Sequence, residues 1–435
     1  MSAAERAVEH VMCLGCGCGC DDITVRVRDD QIVAAERACP RGAAWFGDGV
    51  VPARARVEGH DVSMAEAVAA AARTLARAAR PLVYLTDDLS CEAQGECAAI
   101  ADRLHAMLDT LSTSTVPSSL LAAQRRGRAA ATFGEIRNRG DVLVFWGMDP
   151  AARYPRYWAR VAPAPAGAQV PDGRRSRTVI AVDVGDARGP DDADVRVHFA
   201  NAEEEDALAI MRATVLGRPP AAPGAGATNE GTLVADAVTV ATTLLAARYA
   251  VIVHDAEPVP RRTSDAAEGL IALAQALNGP TRCALSTLRA GGNRMGADAV
   301  LTWRTGFPMA VDLARGAPRY RPLDGAARML ERGEIDAALV VGAAASVPES
   351  VSGALRTIPC VVVGPRASEN ALGAAVAIDT GVAGIHEGGM AVRADDIPLP
   401  LRPSMEGPPA AVDVLRALRS ALGGHPLPLA TERAP

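Results

Sequence analysis

The chain contains no lysine, so its 45 basic residues are all arginine. A compositional bias toward Arg, Ala and Gly accounts for this, and it carries no function by itself. Nor is there an uninterrupted apolar run of about eighteen residues, the length that a membrane-crossing helix needs. The opening, Met1 to His10, has no apolar signal region. These absences predict a soluble, cytoplasmic protein. No basic run stands out and the formal charge is only −6, which leaves no electrostatic case for nucleic acid or for an anionic membrane. Nine cysteines, an odd number without a secretion signal, argue for reduced thiols and against a disulfide framework.

What the chain does have is thiol crowding at one end. Cys13, Cys16, Cys18, Cys20 and Cys39 fall within its first forty residues. The spacing Cys13-x2-Cys16-x3-Cys20, with a distant Cys39 before Pro40, is one way to wrap an iron–sulfur cube, and it leaves Cys18 over. Gly15, Gly17 and Gly19 allow the close backbone approach that such a wrap demands. A tetrahedral zinc site built from four of the five thiolates also fits, as do metal-free cysteines that only pack.

At 435 residues and 49% hydrophobic content, the chain can bury two or three cores. Short β-branched runs followed by turns and helix-period segments recur along it, which predicts α/β architecture. Ile23 to Arg28 and Gln31 to Ala35 form an expected hairpin around Asp29-Asp30. Leu82 to Thr86, Asp141 to Gly147, Arg177 to Asp183, Tyr249 to His254, Cys283 to Ser286, Ala337 to Gly342 and Pro359 to Gly364 are expected strands. Their continuous apolar character suits parallel strands covered on both faces. Asp88 to Asp109 and Glu203 to Leu216 have helical spacing. The domain expectation is a Cys-rich module over 1–52, an α/β domain over 53–170 and 331–400, a second over 171–330 with a Pro/Gly/Ala loop at 217–227, and a peripheral tail over 401–435 that is weakly helical near Val412 to Leu422.

In open parallel sheets ligands sit past the carboxyl ends of strands, so the turns Trp146-Gly147-Met148-Asp149-Pro150 and Arg289-Ala-Gly-Gly-Asn293 are candidate binding elements. Glycines there open backbone amides toward a phosphate, although most such turns are only tight connections. His386-Glu387 is an acid–base candidate whose ordinary alternative is a structural pair.

These landmarks, with Thr302-Trp303-Arg304-Thr305-Gly306-Phe307-Pro308, Arg315-Gly316-Ala-Pro318-Arg319-Tyr320 and Gly384 through Arg393 to Pro398, resemble in order the B subunit of formylmethanofuran dehydrogenase. The resemblance covers nearly the whole chain. It implies the molybdopterin oxidoreductase fold: a small iron–sulfur module, then doubly wound parallel-sheet domains that grip a tungsten or molybdenum pterin, without the C-terminal β-barrel of larger relatives. By the same resemblance a [4Fe-4S] cluster is held by Cys13, Cys16, Cys20 and Cys39, whose spacing survives even where the cluster is lost.

One departure from the family bears on its chemistry. The family places a metal-ligating cysteine followed by histidine shortly before a Pro-Ser-Leu-Leu-like stretch. Here that stretch is Pro117-Ser-Ser-Leu-Leu121, and Thr115 and Val116 stand where the ligand pair belongs. Neither ligates a soft metal or carries a proton. Cys91 is the nearest thiol that could substitute, and equally a small buried hydrophobe. The resemblance is therefore strongest to the bacterial relatives in formyltransferase/hydrolase complexes of methylotrophs. It implies a non-redox B subunit with no pterin metal and no turnover alone, in tetrahydromethanopterin-linked one-carbon oxidation to formate. Trp146, Gly147, Asp149, Arg289 and Asn293 would line a vestigial pterin cleft. Its implied partners are a hydrolase-type A subunit, a GXGXG-type C subunit, a formyltransferase subunit and a furan-type formyl carrier. The alternative is an active dehydrogenase subunit with both pterin and cluster, and a third is an interaction module unrelated to one-carbon chemistry.

Overall fold

The computed structural model describes residues 5–220, 229–257, 266–369 and 372–423. The expected loop at 217–227 lies outside them from 221 onward, as does the tail after 423. Two compact units result, one of 1–115, 291–393 and 398–435, the other of 116–290 and 394–397. The chain passes between units at Thr115/Val116, Ala290/Gly291, Arg393/Ala394 and Ile397/Pro398.

The first unit is built on a nine-stranded sheet. Its centre is five parallel strands lying in the order Met107–Thr110, Pro81–Leu85, Ala337–Val341, Cys360–Gly364, Val376–Asp379. In chain order this is 2-1-3-4-5, a doubly wound arrangement whose direction reverses between the first and third strands. Short antiparallel strands close both edges: Val311–Asp312 with Arg319–Tyr320, and Ala55–Val57 with His60–Asp61. The central strands are buried throughout, as their unbroken apolar runs require. Ser63 and Ser90 start the helices Met64–Ala76 and Cys91–Leu104 by accepting from Glu66 N and Ala93 N, the ordinary satisfaction of orphan first-turn amides.

Two expectations change here. The segment Asp88 to Asp109 is not one helix, because His105 takes a left-handed φ of 51° that stops it; Met107–Thr110 then returns as a strand. The tail is not peripheral, since Ala411–Gly423 presents Val414, Leu415, Leu418 and Leu422 at helical spacing to the core of this unit.

The cysteine-bearing segment also belongs to the first unit. Ile23–Arg28 and Gln31–Glu36 pair around Asp29 and Asp30, whose φ values of 52° and 55° make the turn. A third antiparallel strand, Arg6–Val11, adds to this hairpin. Met12 and Leu14 pack with Ala383, Ala391 and Leu401, which joins the thiol loop to the two-stranded sheet Gly389–Val392/Pro398–Leu401.

The second unit carries a five-stranded, wholly parallel sheet in the order Val195–Phe199, Thr178–Val184, Val142–Trp146, Ala250–Asp255, Cys283–Leu288. It has its own apolar core around Val144, Ile180, Phe199, Leu208 and Leu244. Among the described residues no helix is long and apolar enough to cross a membrane.

Backbone crowding at the strand ends of the first unit yields a test. A Cβ on Gly364 would collide with the carbonyl oxygen of Gly342, whereas one on Gly59 would meet nothing within 4 Å. Gly364→Ala is expected to cost about 3 kcal/mol, and Gly59→Ala only about the 1 kcal/mol of a left-handed backbone, its φ being +80°. Urea denaturation of the two variants checks the contrast.

Candidate functional site

In a 2-1-3-4-5 sheet the binding crevice lies outside the carboxyl ends of the first and third strands. A cleft of about 840 Å³ occurs at that place. Asp87 and Asp88, which follow Pro81–Leu85, face Ala343 to Ser346, which follow Ala337–Val341. Arg41, Trp45 and Phe46 of the cysteine segment form another wall, and Gly291, Gly292 and Arg366 also line the cleft.

Glycines bring backbone close to this cleft. Gly342 has φ +100°, and a Cβ there would collide with Thr86 Oγ1 and Asp88 Oδ1. Gly291, at φ +94°, approaches the Asp87 carboxylate equally closely. The strand-end amide of Ala343 is the donor that an anionic ligand would use. It already donates to both oxygens of Asp88, at 2.9 and 3.0 Å, while Thr86 Oγ1 donates to the same carboxylate at 2.5 Å. Burial, and secondarily the charge of Asp87, raise the Asp88 pKa above the usual carboxylate range. Four carboxylates, Asp48, Asp87, Asp88 and Glu369, line the cleft against two guanidinium groups, Arg41 and Arg366. Arg366 in turn is held by Glu369 at 2.8 Å.

Thr115 is one residue removed from this wall. Its Oγ1 donates to Leu111 O at 2.8 Å and accepts from Arg294 Nη1 at 3.4 Å, and Arg294 Nε pairs with Asp87 at 3.3 Å. Val116 begins the second unit and is buried. Cys91 sits in the first turn of its helix, where Asn293 Nδ2 lies 3.5 Å from its sulfur and burial raises its pKa.

Four of the five N-terminal thiols, Cys13, Cys16, Cys18 and Cys20, lie in one loop, and Cys39, the cap of the helix Pro40–Phe46, lies beside Cys13. Cys13 N donates to Cys20 O at 2.8 Å, Gly15 N to Cys13 Sγ at 3.4 Å, and Gly42 N to Cys39 Sγ at 3.4 Å. Cys13 feels the charges of Cys20, Cys16 and Cys39; burial chiefly pushes its pKa up to about 12. A hydrogen bond with the Cys18 thiol brings Cys16 down to about 7. A Cβ on Gly42 would stand 3.2 Å from Cys13 Sγ and 3.8 Å from Cys39 Sγ, so glycine keeps that side open to the sulfurs. Thiols with amide donors are the ligand chemistry of an iron–sulfur cluster. Among the described residues no group of three or more His, Cys, Asp and Glu is placed to hold a metal ion.

The remaining sequence candidates fall in different places. Trp146, Gly147, Asp149 and Arg289 belong to the second unit, Asn293 to the first. Trp146 is fully buried and donates Nε1–H to Glu204 at 2.7 Å. Gly147 N donates to Val182 O at 2.7 Å, Asp149 caps the turn Pro150–Arg153 through Ala151 N, and Arg289 is buried after Cys283–Leu288. Asn293 is a structural bracket: Nδ2 donates to Leu89 O at 2.8 Å, Oδ1 accepts from Val392 N at 2.8 Å, and its own amide donates to Asp87 O. His386 and Glu387 are also structural, the first accepting from Val382 N, the second from Ser90 Oγ and Ala411 N at 2.6 and 2.7 Å. Sequence reasoning does not single out Asp87 and Asp88. Their one signal is position, directly after an apolar strand.

Asp88 gives a pH test. Its folded-state pKa is raised, so the folded protein holds the proton over a range where the unfolded chain has released it, and the stability that this group contributes is lost as pH rises from about 4 toward the folded value. Asp88→Asn keeps an acceptor for Ala343 N and removes that loss. Relative to the parent it is expected to gain stability as pH rises above about 4, measured by denaturant titration at each pH.

No family model matches the chain. The B subunit of tungsten-containing formylmethanofuran dehydrogenase 2 from Methanocaldococcus jannaschii is 29% identical over 418 residues, spanning 93% of this chain and 95% of that protein. Its counterpart in Methanococcus maripaludis is 29% identical over 413 residues, 92% of this chain and 94% of that one. The B subunit of the formyltransferase/hydrolase complex Fhc of Methylorubrum extorquens is 30% identical over 344 residues, 77% of this chain and 86% of that protein. Among solved structures, a chain of the formyltransferase/hydrolase complex (FhcABCD) from Methylorubrum extorquens, crystallised with methylofuran, matches with a TM-score of 0.69 and 27% identity, covering 85% of this chain and 98% of that one.

Proposed function

Since the chain belongs to the family of formylmethanofuran dehydrogenase B subunits, which includes the B subunit of a formyltransferase/hydrolase complex, we propose that it is a non-redox B subunit of such a complex. It holds and positions, while formyl transfer from tetrahydromethanopterin to a furan-type carrier, and release as formate, belong to partner subunits of hydrolase, GXGXG and formyltransferase type. The match to a complex that contains methylofuran supports the furan carrier.

The observation that carries this reading is the make-up of the cleft wall, whose strand-end donor is already taken. A pterin dinucleotide brings a pyrophosphate and a metal, and needs free amide donors, positive charge and a soft ligand. Here the strand-end amide of Ala343 is given to Asp88, carboxylates outnumber guanidinium groups on the wall, and Thr115 offers a hydroxyl that already serves Leu111 and Arg294. These residues do not fit the group, and no redox step is assigned to it. The doubly wound sheets and the thiol-bearing hairpin support a fold of molybdopterin oxidoreductase type.

The thiol loop is a separate matter. Cys13, Cys16, Cys20 and Cys39 have the donor chemistry for a [4Fe-4S] cluster, which would there supply a one-electron store. With no pterin metal to serve, such a cluster acts as a fastening of the loop to the body of the first unit.

Elemental analysis of the complex purified without oxygen tests the proposal. Tungsten and molybdenum are expected well below one per copy of this chain, and the isolated chain is expected to show no dehydrogenase turnover. About one tungsten or molybdenum per copy would overturn the reading in favour of a working dehydrogenase subunit. About four irons alone would place a cluster on the four cysteines and leave the non-redox role standing.

A further inference from the structure

The first unit has a second concavity, away from the switch-point cleft. A groove of about 400 Å³ has Val300, Met390, Val392 and Pro398 among its lining, with Trp303 and Arg304 also on its wall. Trp303 and Arg304 lie on the helix Arg294–Thr305, whose buried face is set by Ala297, Val300 and Leu301. The indole is 71% exposed. Most of a large apolar ring is thus left in water beside further apolar surface, a combination that monomeric surfaces rarely present and interfaces use.

The charges around the groove are unevenly matched. Arg419 pairs with Glu96 at 2.8 Å, Arg416 pairs with Asp413 and Glu96 at 3.1 and 3.5 Å, and Glu92 accepts from Met390 N at 3.0 Å. Arg304 makes no ion pair among the described residues. Its guanidinium lies over Gly95, where an added Cβ would be 3.7 Å away. An uncompensated guanidinium next to an exposed indole asks for a carboxylate adjacent to an apolar side chain.

We propose that this groove docks a segment of another subunit of the same complex, one that lays an apolar side chain on Trp303 and sets a carboxylate against Arg304. This rests on the reading of the chain as a complex subunit. A second copy of this chain is the rival occupant that the test separates from a partner subunit. Trp and Arg are the residue types that anchor such interfaces.

The test uses the assembled complex with Trp303→Ala/Arg304→Glu in place of the natural chain, and Arg218→Glu, on an exposed turn of the second unit, as control. The double variant is expected to fold with an unchanged circular dichroism spectrum, because both side chains are exposed, and to dissociate from the remaining subunits at least tenfold more readily by native mass spectrometry. Hydroxyl-radical footprinting of the natural protein is expected to show Trp303 protected in the complex and reactive in the isolated chain. Wild-type assembly by the double variant, or a Trp303 equally reactive in both states, would overturn the docking proposal alone. Protection that appears instead in a dimer of the isolated chain would overturn it in favour of self-association. A natural chain that joins no partner subunits would overturn the complex reading and this proposal with it.

Discussion

The first unit depends on the bracket made by Asn293. One side chain ties the loop after Pro81–Leu85 to the sheet Gly389–Val392, while the same residue's amide donates to Asp87 O and its carbonyl accepts from Gln94 Nε2 at 3.1 Å. Leu89, Val392, Asp87 and Gln94 are far from Asn293 in sequence, and a buried amide satisfied on both its oxygen and its nitrogen fixes them in one arrangement. Asp88, which reaches Ala343 N, lies between the two carbonyls that Asn293 holds, those of Asp87 and Leu89, and Arg294, the next residue along, bonds to both Asp87 and Thr115.

The cleft keeps its shape while the protein's own side chain takes a strand-end donor. Positive-φ glycines still bring the backbone close at Gly291 and Gly342. What they approach is the protein's own carboxylates. An internal carboxyl group occupies the donor that an external anion would need, and it holds that place at no cost in translational entropy.

Much of this is legible in the sequence. Continuous apolar runs mark the parallel strands, and the Asp29-Asp30 turn marks the hairpin beside the cysteines. Short edge strands such as Val311–Asp312 and His60–Asp61 have too few residues to show alternation, and they form because a neighbouring strand offers unpaired groups. Asp88 to Asp109 keeps helical spacing through His105, and only a left-handed residue, invisible to periodicity, divides helix from strand. The site is harder still. Asn293 is visible as part of a glycine turn, but its bonds to Leu89 and Val392 span about two hundred and about one hundred residues of chain, which no local pattern encodes. The thiol set and the Thr115-Val116 departure can be read because both are matters of residue type and spacing alone.

Cys39 does two jobs at once. Its sulfur accepts the Gly42 amide and so caps the helix Pro40–Phe46, the same short helix whose Trp45 and Phe46 form a wall of the cleft. The thiol set and the cleft therefore meet on one helix of seven residues, which a sulfur caps at its start and whose last residues form a wall of the cleft.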